Sequence, residues 1–241
     1  MNTKEARDTG NQLAGFIHNR QIQKAINILS PVLVEKTSFR LLDVIGACIG
    51  QQTPDTLDPF LERIAANRSM GGWIIIASAL RQQSRVDLPG ALERCRRYVI
   101  RADVWYAADS FAERVAGHAL VEQFSPAISI LAQWRNDPSV WVRRVVGVAV
   151  HYWAKQARGD PARLPEVNVL LDFLAPMFGE REMDAVKGIG WGLKTLGRYY
   201  PDAVDAWLSV QVDRPHRALM QRKAARYLPA GLREQFSRKT S

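Results

Sequence analysis

This sequence has few cysteines, no long hydrophobic run and hardly any strand-like alternation. Cys48 and Cys95 are its two cysteines, and their separation fits no metal-binding spacing, which favours a reducing compartment. The most apolar short run, residues 71–77, is too short to cross a bilayer, and the polar first seven residues hold no signal-peptide core. We therefore expect a soluble cytoplasmic protein with no metal site and no membrane partner.

Several catalytic signatures are also missing. The sequence contains no Walker loop, no glycine-rich dinucleotide turn and no nucleophile elbow, and its four histidines have no ligand spacing. We interpret His151 as a packed helix residue. The alternate glycines at positions 188, 190 and 192 follow no predicted strand, so we interpret them as allowing close helix packing. No cofactor is expected.

Acidic residues are outnumbered by basic ones. The chain of 241 residues has 33 lysines and arginines against 24 aspartates and glutamates, a formal net charge of +9. The sequence pI is near 9.9. This balance favours a polyanionic partner such as nucleic acid, although basic proteins without such a partner are common.

Nearly every segment has the apolar period of an α-helix. Helices carrying Trp73, Trp105, Trp141 and Trp191 are predicted to begin at residues 69, 103, 138 and 180, so their starts are 34 (103−69), 35 (138−103) and 42 (180−138) residues apart. Second helices are predicted at residues 89–99, 124–134, 164–176 and 201–210, and a further helix near residue 214. Two helices per repeat of about 35–45 residues predict an all-α solenoid of HEAT-like or armadillo-like type.

The domain organisation follows from the same pattern. No linker rich in proline, glycine or serine interrupts the helices, so we predict a single domain over residues 1–236. Residues 237–241 are expected to fray. Because stacked helix pairs leave one helix of each pair on the concave side, the Trp-bearing helices are predicted to line a concave basic groove.

Three tryptophans stand one helical turn before a polar or charged residue, which places both side chains on one face. The pairs are Trp105 and Asp109, Trp141 and Arg144, and Trp191 and Lys194. A tryptophan at helical spacing is usually buried, and an aspartate in a solenoid often forms an interhelical salt bridge. On spacing alone, a structural and a functional role for Asp109 both stay open.

Four stretches of the chain carry a resemblance to a known family. They are Trp105-Tyr106-Ala107-Ala108-Asp109, Val140-Trp141-Val142-Arg143-Arg144, residues 187–204 and Gln221-Arg222-Lys223-Ala224, within about residues 69–230. They resemble the AlkD-like DNA alkylation repair proteins, which are HEAT-like-repeat DNA glycosylases specific for alkylated purines. The family usually has Arg where Lys194 stands. Its N-terminal Gly-x-x-x-Pro-x-x-Arg motif is matched only by residues 50–54, without the Arg.

The resemblance implies a function and a set of site residues. The family excises positively charged purines such as 7-methylguanine and 3-methyladenine from duplex DNA without a base-flipping pocket. A cationic base leaves as a neutral molecule and needs no general acid, so one carboxylate can stabilise the oxocarbenium-like sugar and position water. The resemblance assigns this role to Asp109, with Trp105 and Trp191 packing on the sugar of the lesion. The predicted DNA contacts are Arg144, Lys194, Arg143, Trp141, Lys187, Arg222 and Lys223, of which the first two would hold phosphates.

Three functions stay open from the sequence. The first is an alkylpurine DNA glycosylase, which the pair of Trp105 and Asp109 favours. The second is a non-catalytic family member that binds branched or distorted DNA, favoured by Lys194 and the divergent N-terminus. The third is a protein-binding helical scaffold, which a steep loss of DNA affinity with salt would exclude. We expect a monomer of the bacterial cytoplasm whose partner is lesion-containing duplex DNA.

Overall fold

The computed structural model describes residues 1–238, except the side chains of Gln235, Ser237 and Arg238, and every regular element in these residues is a helix. The all-α prediction is confirmed. The α-helices are α1 (Thr3–His18), α2 (Ile22–Val34), α3 (Phe39–Ile49), α4 (Pro54–Ala66), α5 (Met70–Gln83), α6 (Leu88–Ala102), α7 (Trp105–Phe111), α8 (Gly117–Glu122), α9 (Phe124–Trp134), α10 (Val140–Ala157), α11 (Leu164–Leu174), α12 (Met183–Tyr199), α13 (Pro201–Gln211), α14 (Ala218–Ala224) and α15 (Ala230–Arg238). A π-helical turn, Ala112–Ala116, lies between α7 and α8.

Contacts divide the chain into two compact units, Met1–Val115 and Ala116–Ser241. In the first unit α1, α3, α5 and α7 pack side by side in one layer, which we call layer A. Helices α2, α4 and α6 pack on it as layer B. Helix α5 is central because its sequence is apolar on every face, and all its residues from Gly72 to Leu80 are buried.

The second unit repeats this arrangement. Helices α8, α10, α12 and α14 form its layer A, and α9, α11 and α13 form its layer B. Helices α10 and α12 approach closely because glycines stand at their contact. A Cβ on Gly147 would lie 2.3 Å from the backbone of Ile189, and one on Gly192 would lie 2.5 Å from the carbonyl oxygen of Gly147. The interpretation of the alternate glycines as packing residues is confirmed.

The paired helices agree with the predicted repeat, but four predicted helix starts, those at residues 103, 138 and 180 and the one near 214, are too early. Asp103 takes a φ of +51° and ends α6, so α7 begins only at Trp105. The carboxylate of Glu180 accepts the backbone N–H groups of Arg181 and Glu182 in a turn, and α12 begins at Met183. Both differences stay within one helical turn and leave the order of the helices unchanged.

The Trp-bearing helices of the repeat all belong to layer A of their own unit. Trp73 and Trp105 lie on α5 and α7, and Trp141 and Trp191 lie on α10 and α12. The single domain over residues 1–236 and the concave groove stay predictions, and of the predicted frayed end, residues 239–241 lie outside the described part. Within residues 1–238, no helix combines the length and hydropathy needed to cross a membrane.

Candidate active site

The candidate carboxylate and its tryptophan lie on α7, in layer A of the first unit. Trp105 is the first residue of the helix, and 54% of its surface is exposed. Its indole meets the Tyr106 ring edge-on, with centroids 5.8 Å apart. Asp109 follows one turn later and is half-buried. The helix therefore presents an accessible indole and a partly shielded carboxylate at the predicted spacing.

Aromatic packing fixes the end of this short helix in the core. The Phe111 ring lies between those of Trp73 and Tyr98, with both centroid separations at 6.2 Å. Its plane is within 6° of that of Tyr98. Phe111 stands two residues after Asp109, so the aromatic contacts limit how far the carboxylate can move.

A partly exposed ion pair holds the π-helical turn that follows α7. The Arg114 guanidinium donates to both carboxylate oxygens of Asp43 on α3, at 2.6 and 3.1 Å. The Ser78 hydroxyl on α5 donates to the same carboxylate at 2.5 Å. Sequence reasoning missed this group, because Asp43 and Arg114 are 71 positions apart and only a π-helical turn brings them together.

In the second unit, Trp191 on α12 stacks on a buried histidine. The ring centroids of Trp191 and His151 are 4.0 Å apart, and the planes differ by 25°. The Thr195 hydroxyl donates to the carbonyl of Trp191 at 3.0 Å, so it accepts a hydrogen bond from Nδ1 of His151 at 2.7 Å. Burial lowers the pKa of His151 to about 4, helped by the charges of Lys155 and Lys194. The prediction that His151 is a packed helix residue is confirmed.

Four of the predicted DNA contacts form a basic cluster beside this tryptophan. The pKa of Lys223 is lowered, first by burial and then by the positive charges of Lys194, Arg144 and Lys187. Such a shift requires these cations to lie close enough to repel one another. A concentration of like charge is electrostatically costly, and a bound anion would relieve the cost. We call these four residues the basic cluster.

Two of the alternate glycines make room for the basic cluster. A Cβ on Gly190 would lie 2.5 Å from Cδ of Lys223, and one on Gly188 would lie 2.7 Å from Cγ of Arg144. The cationic side chains thus lie directly against the α12 backbone. The sequence predicted that these glycines allow close helix packing. It did not predict that they also make room for the cationic side chains.

The members of the basic cluster differ in accessibility. Lys187 is exposed and contacts Asp184 at 3.2 Å, whereas Arg144 is buried and donates to the carbonyl of Asp184 at 3.0 Å. The Lys194 ammonium lies 5.4 Å from the ring centre of Tyr227, a cation–π contact. Lys187 is therefore the member most open to a phosphate, and Lys194 and Lys223 are partly buried.

The other predicted DNA contacts have separate surroundings. Arg143 bridges to Glu180 at 2.7 Å and donates to the carbonyl of Asp137 at 2.7 Å, in the manner of a structural ion pair. Burial alone would raise the pKa of Glu180, but hydrogen bonds from Arg143 and from the chain outweigh it and lower that pKa. Trp141 is half-buried at the start of α10, and Arg222 is exposed on α14.

Comparison with protein families matches residues 69–228 to the model described as DNA alkylation repair enzyme. The chain belongs to this family. The match begins just before α5 and includes α7, Trp191 and the basic cluster. Residues 1–68, which hold the divergent N-terminal segment, lie outside it. The resemblance drawn from the four sequence stretches is confirmed at the level of the family.

A structural comparison agrees on the fold. The chain is similar to Pseudomonas fluorescens alkylpurine DNA glycosylase AlkC, solved bound to DNA containing an abasic site analog, with a TM-score of 0.56 and 16% sequence identity. The match covers 91% of this chain but 62% of that one, so the chain spans less than two thirds of the length of that relative. No curated protein matched the chain.

Proposed function

We propose that this protein is a DNA glycosylase that removes positively charged alkylated purines, such as 7-methylguanine and 3-methyladenine, from duplex DNA. The observation that carries the proposal is the pair on α7. An exposed Trp105 and a half-buried Asp109 stand one turn apart inside the segment that matches the family. A simple packing helix has no need of an indole left more than half exposed.

The proposed chemistry needs little more than this pair. An alkylated purine already carries positive charge, so its N-glycosidic bond breaks to release a neutral base without a general acid. The sugar becomes oxocarbenium-like, and Asp109 stabilises that positive charge and positions the attacking water. Trp105, on the same helix as Asp109, packs on the deoxyribose. Phe111 and the Arg114–Asp43 pair support this role by limiting the movement of α7.

The basic cluster supplies the proposed contacts to the DNA backbone. Lys187 and Lys194 would bind phosphates directly, and Lys223 and Arg144 would add positive potential from behind them. Each phosphate neutralised by a cation releases counterions, so affinity would fall steeply as salt rises. A DNA affinity that is insensitive to salt would contradict this part of the proposal.

The test is release of 7-methylguanine and 3-methyladenine from methylated duplex DNA by the wild type and Asp109→Asn. The wild type should release both bases, and the variant should lose release while keeping DNA affinity within about twofold, because only one carboxylate oxygen is replaced. Asp172→Asn is the matched control, since this exposed aspartate lies on α11 in layer B. If Asp109→Asn loses affinity and release equally, Asp109 is a structural residue.

A second candidate function is DNA binding without excision, and Lys194 is the observation that favours it. The ammonium is a point charge held over the Tyr227 ring, and it lacks the two-pronged fork with which an arginine binds phosphate. Tight, salt-sensitive binding with no base release by the wild type would support this function. In that case Lys194→Arg is the informative variant, because restored release would attribute the lost chemistry to this one position.

A further inference from the structure

The two layers of the second unit carry opposite charge. The layer B helices α11 and α13 contain acidic residues but no lysine or arginine, and α9 contains no charged residue, whereas α10, α12 and α14 of layer A hold the basic cluster. The acidic residues are Glu166, Asp172, Asp202 and Asp205. On a chain with a net charge of +9, this segregation leaves the α-helices of layer B in the second unit without a lysine or an arginine.

This acidic face contains an open groove where α11 packs beside α13. Two adjoining depressions of about 380 and 390 Å³ share Asn168 and Ala203 in their walls. The first is also lined by Trp207 and Val210, and the second by Leu164. We call the two depressions together the α11–α13 groove.

The α11–α13 groove exposes apolar surface that the fold leaves uncovered. Leu164 is 44% exposed, and Val210 is 71% exposed. Covering such side chains would remove apolar surface from water and so favour an interface. Apolar residues rimmed by charge mark a surface for protein contact.

A polar group at the base of the groove also lacks a partner. Trp207 is 9% exposed, and within the described residues its buried indole Nε1–H finds no hydrogen-bond acceptor. The buried Oδ1 of Asp205, two residues earlier, likewise finds no donor there. Buried indole N–H groups normally have an acceptor, so this donor is one that an incoming chain could satisfy.

The neighbouring arginines do not neutralise the whole rim. Arg163 pairs with Glu166 at 2.7 Å, which removes that carboxylate from recognition. Arg214 donates to the carbonyl of Ala175 and to the Gln211 side chain. Asp172 on α11 and Asp202 on α13 are exposed and line the groove, and Asp205 on α13 is half-buried.

We infer that the α11–α13 groove docks an amphipathic helix rich in lysine or arginine that belongs to a partner protein. Apolar side chains of the partner, spaced by three and four residues, lie on Leu164, Trp207 and Val210. Its cations face Asp172 and Asp202, a complementarity that raises the association rate and excludes DNA from the groove. The inference uses no residue of the proposed active site, so it stands or fails independently of the glycosylase proposal.

The test uses a labelled synthetic peptide of about four helical turns, with leucines on one face and lysines on the other. Fluorescence anisotropy with the full chain measures its affinity, and a peptide of the same composition in scrambled order is the control. We expect Asp172→Lys and Val210→Ser each to weaken binding about fivefold or more, since one reverses a rim charge and the other removes an apolar contact. Both positions are exposed, so the fold is retained.

Matched substitutions elsewhere distinguish binding in this groove from nonspecific binding of the peptide. Asp8→Lys on α1 and Val86→Ser, where the side chain is 93% exposed, should leave the affinity unchanged. Saturating duplex DNA should also leave it unchanged. Equal affinity for the scrambled peptide, or no effect of either groove variant, overturns the inference. Self-association of the wild type that Asp172→Lys abolishes would also overturn it, because the occupant would then be a second copy of the chain.

Discussion

Lowering the pH should destabilise the second unit through one side chain, His151. Its imidazole is buried against Trp191, and burial together with Lys155 and Lys194 lowers its pKa from 6.5 to about 4. The unfolded chain therefore takes up a proton between those two pH values and the folded chain does not. The stabilisation is fully present above pH 6.5, and it is lost as the pH falls towards 4.

The size of this effect follows from the shift. A depression of roughly 2.5 pKa units is worth on the order of 3 kcal/mol in total, of which about 2 kcal/mol is lost between about pH 7 and pH 5. The assay is urea unfolding followed by circular dichroism across this range, for the wild type and His151→Phe. The phenylalanine keeps a ring against Trp191 but cannot titrate, and it loses the hydrogen bond to Thr195, which costs about 1 kcal/mol.

The two stability curves should therefore cross between about pH 5 and pH 6, with the wild type more stable above the crossing. The contributions of the other titrating groups cancel in the difference between the unfolding free energies of the two proteins, because both proteins share these groups. A constant difference between the wild type and His151→Phe across this range would refute the reasoning, because His151 would then titrate equally in both states.

Three further predictions follow from the packing and the charges. Arg114→Met leaves the partly exposed Asp43 carboxylate without its two-pronged partner and should destabilise the first unit by about 1–2 kcal/mol in urea unfolding, with Asp43→Asn recovering part of the loss in the double variant. Gly147→Leu forces a side chain onto the α12 backbone and should lower the melting temperature by several degrees or prevent folding, whereas Gly15→Leu, where a Cβ meets nothing within 4 Å, should not. Lys223→Ala should reduce the slope of DNA affinity against salt by no more than about one, and an unchanged slope would remove Lys223 from the DNA interface.

The fold could be predicted from the sequence because its signals are local. A helical apolar period and a repeat of starts near residues 69, 103, 138 and 180 are readable over short windows, and they gave the helix pairs and their order. The predicted helix starts were less exact, because a helix start depends on the backbone conformation and hydrogen bonds of one or two capping residues. Asp103 takes a left-handed conformation that a helix start does not have, and Glu180 folds back onto the chain instead of opening α12.

The candidate site was predictable only in part. The spacing of Trp105 and Asp109 follows from the helix period alone. The support of α7 does not, because Asp43 comes from α3, and its contact with Arg114 depends on a π-helical turn. No periodicity in the sequence indicates that turn. Its extra residue affects contacts only after α3, α5 and α7 have packed in one layer.

The alternate glycines of α12 connect packing to electrostatics in a way that no single motif indicates. Gly192 lets α10 approach, and Gly190 lets Lys223 lie against the same helix, so the glycines that tighten the fold also bring cations together. The pKa of Lys223 is lowered first by burial and then by the resulting repulsion among these cations. If tight packing were the sole benefit, apolar side chains in place of the cations would provide the same packing without that repulsion. The retained like charge is therefore most simply explained by an anion that binds there, as the glycosylase proposal requires of DNA phosphates.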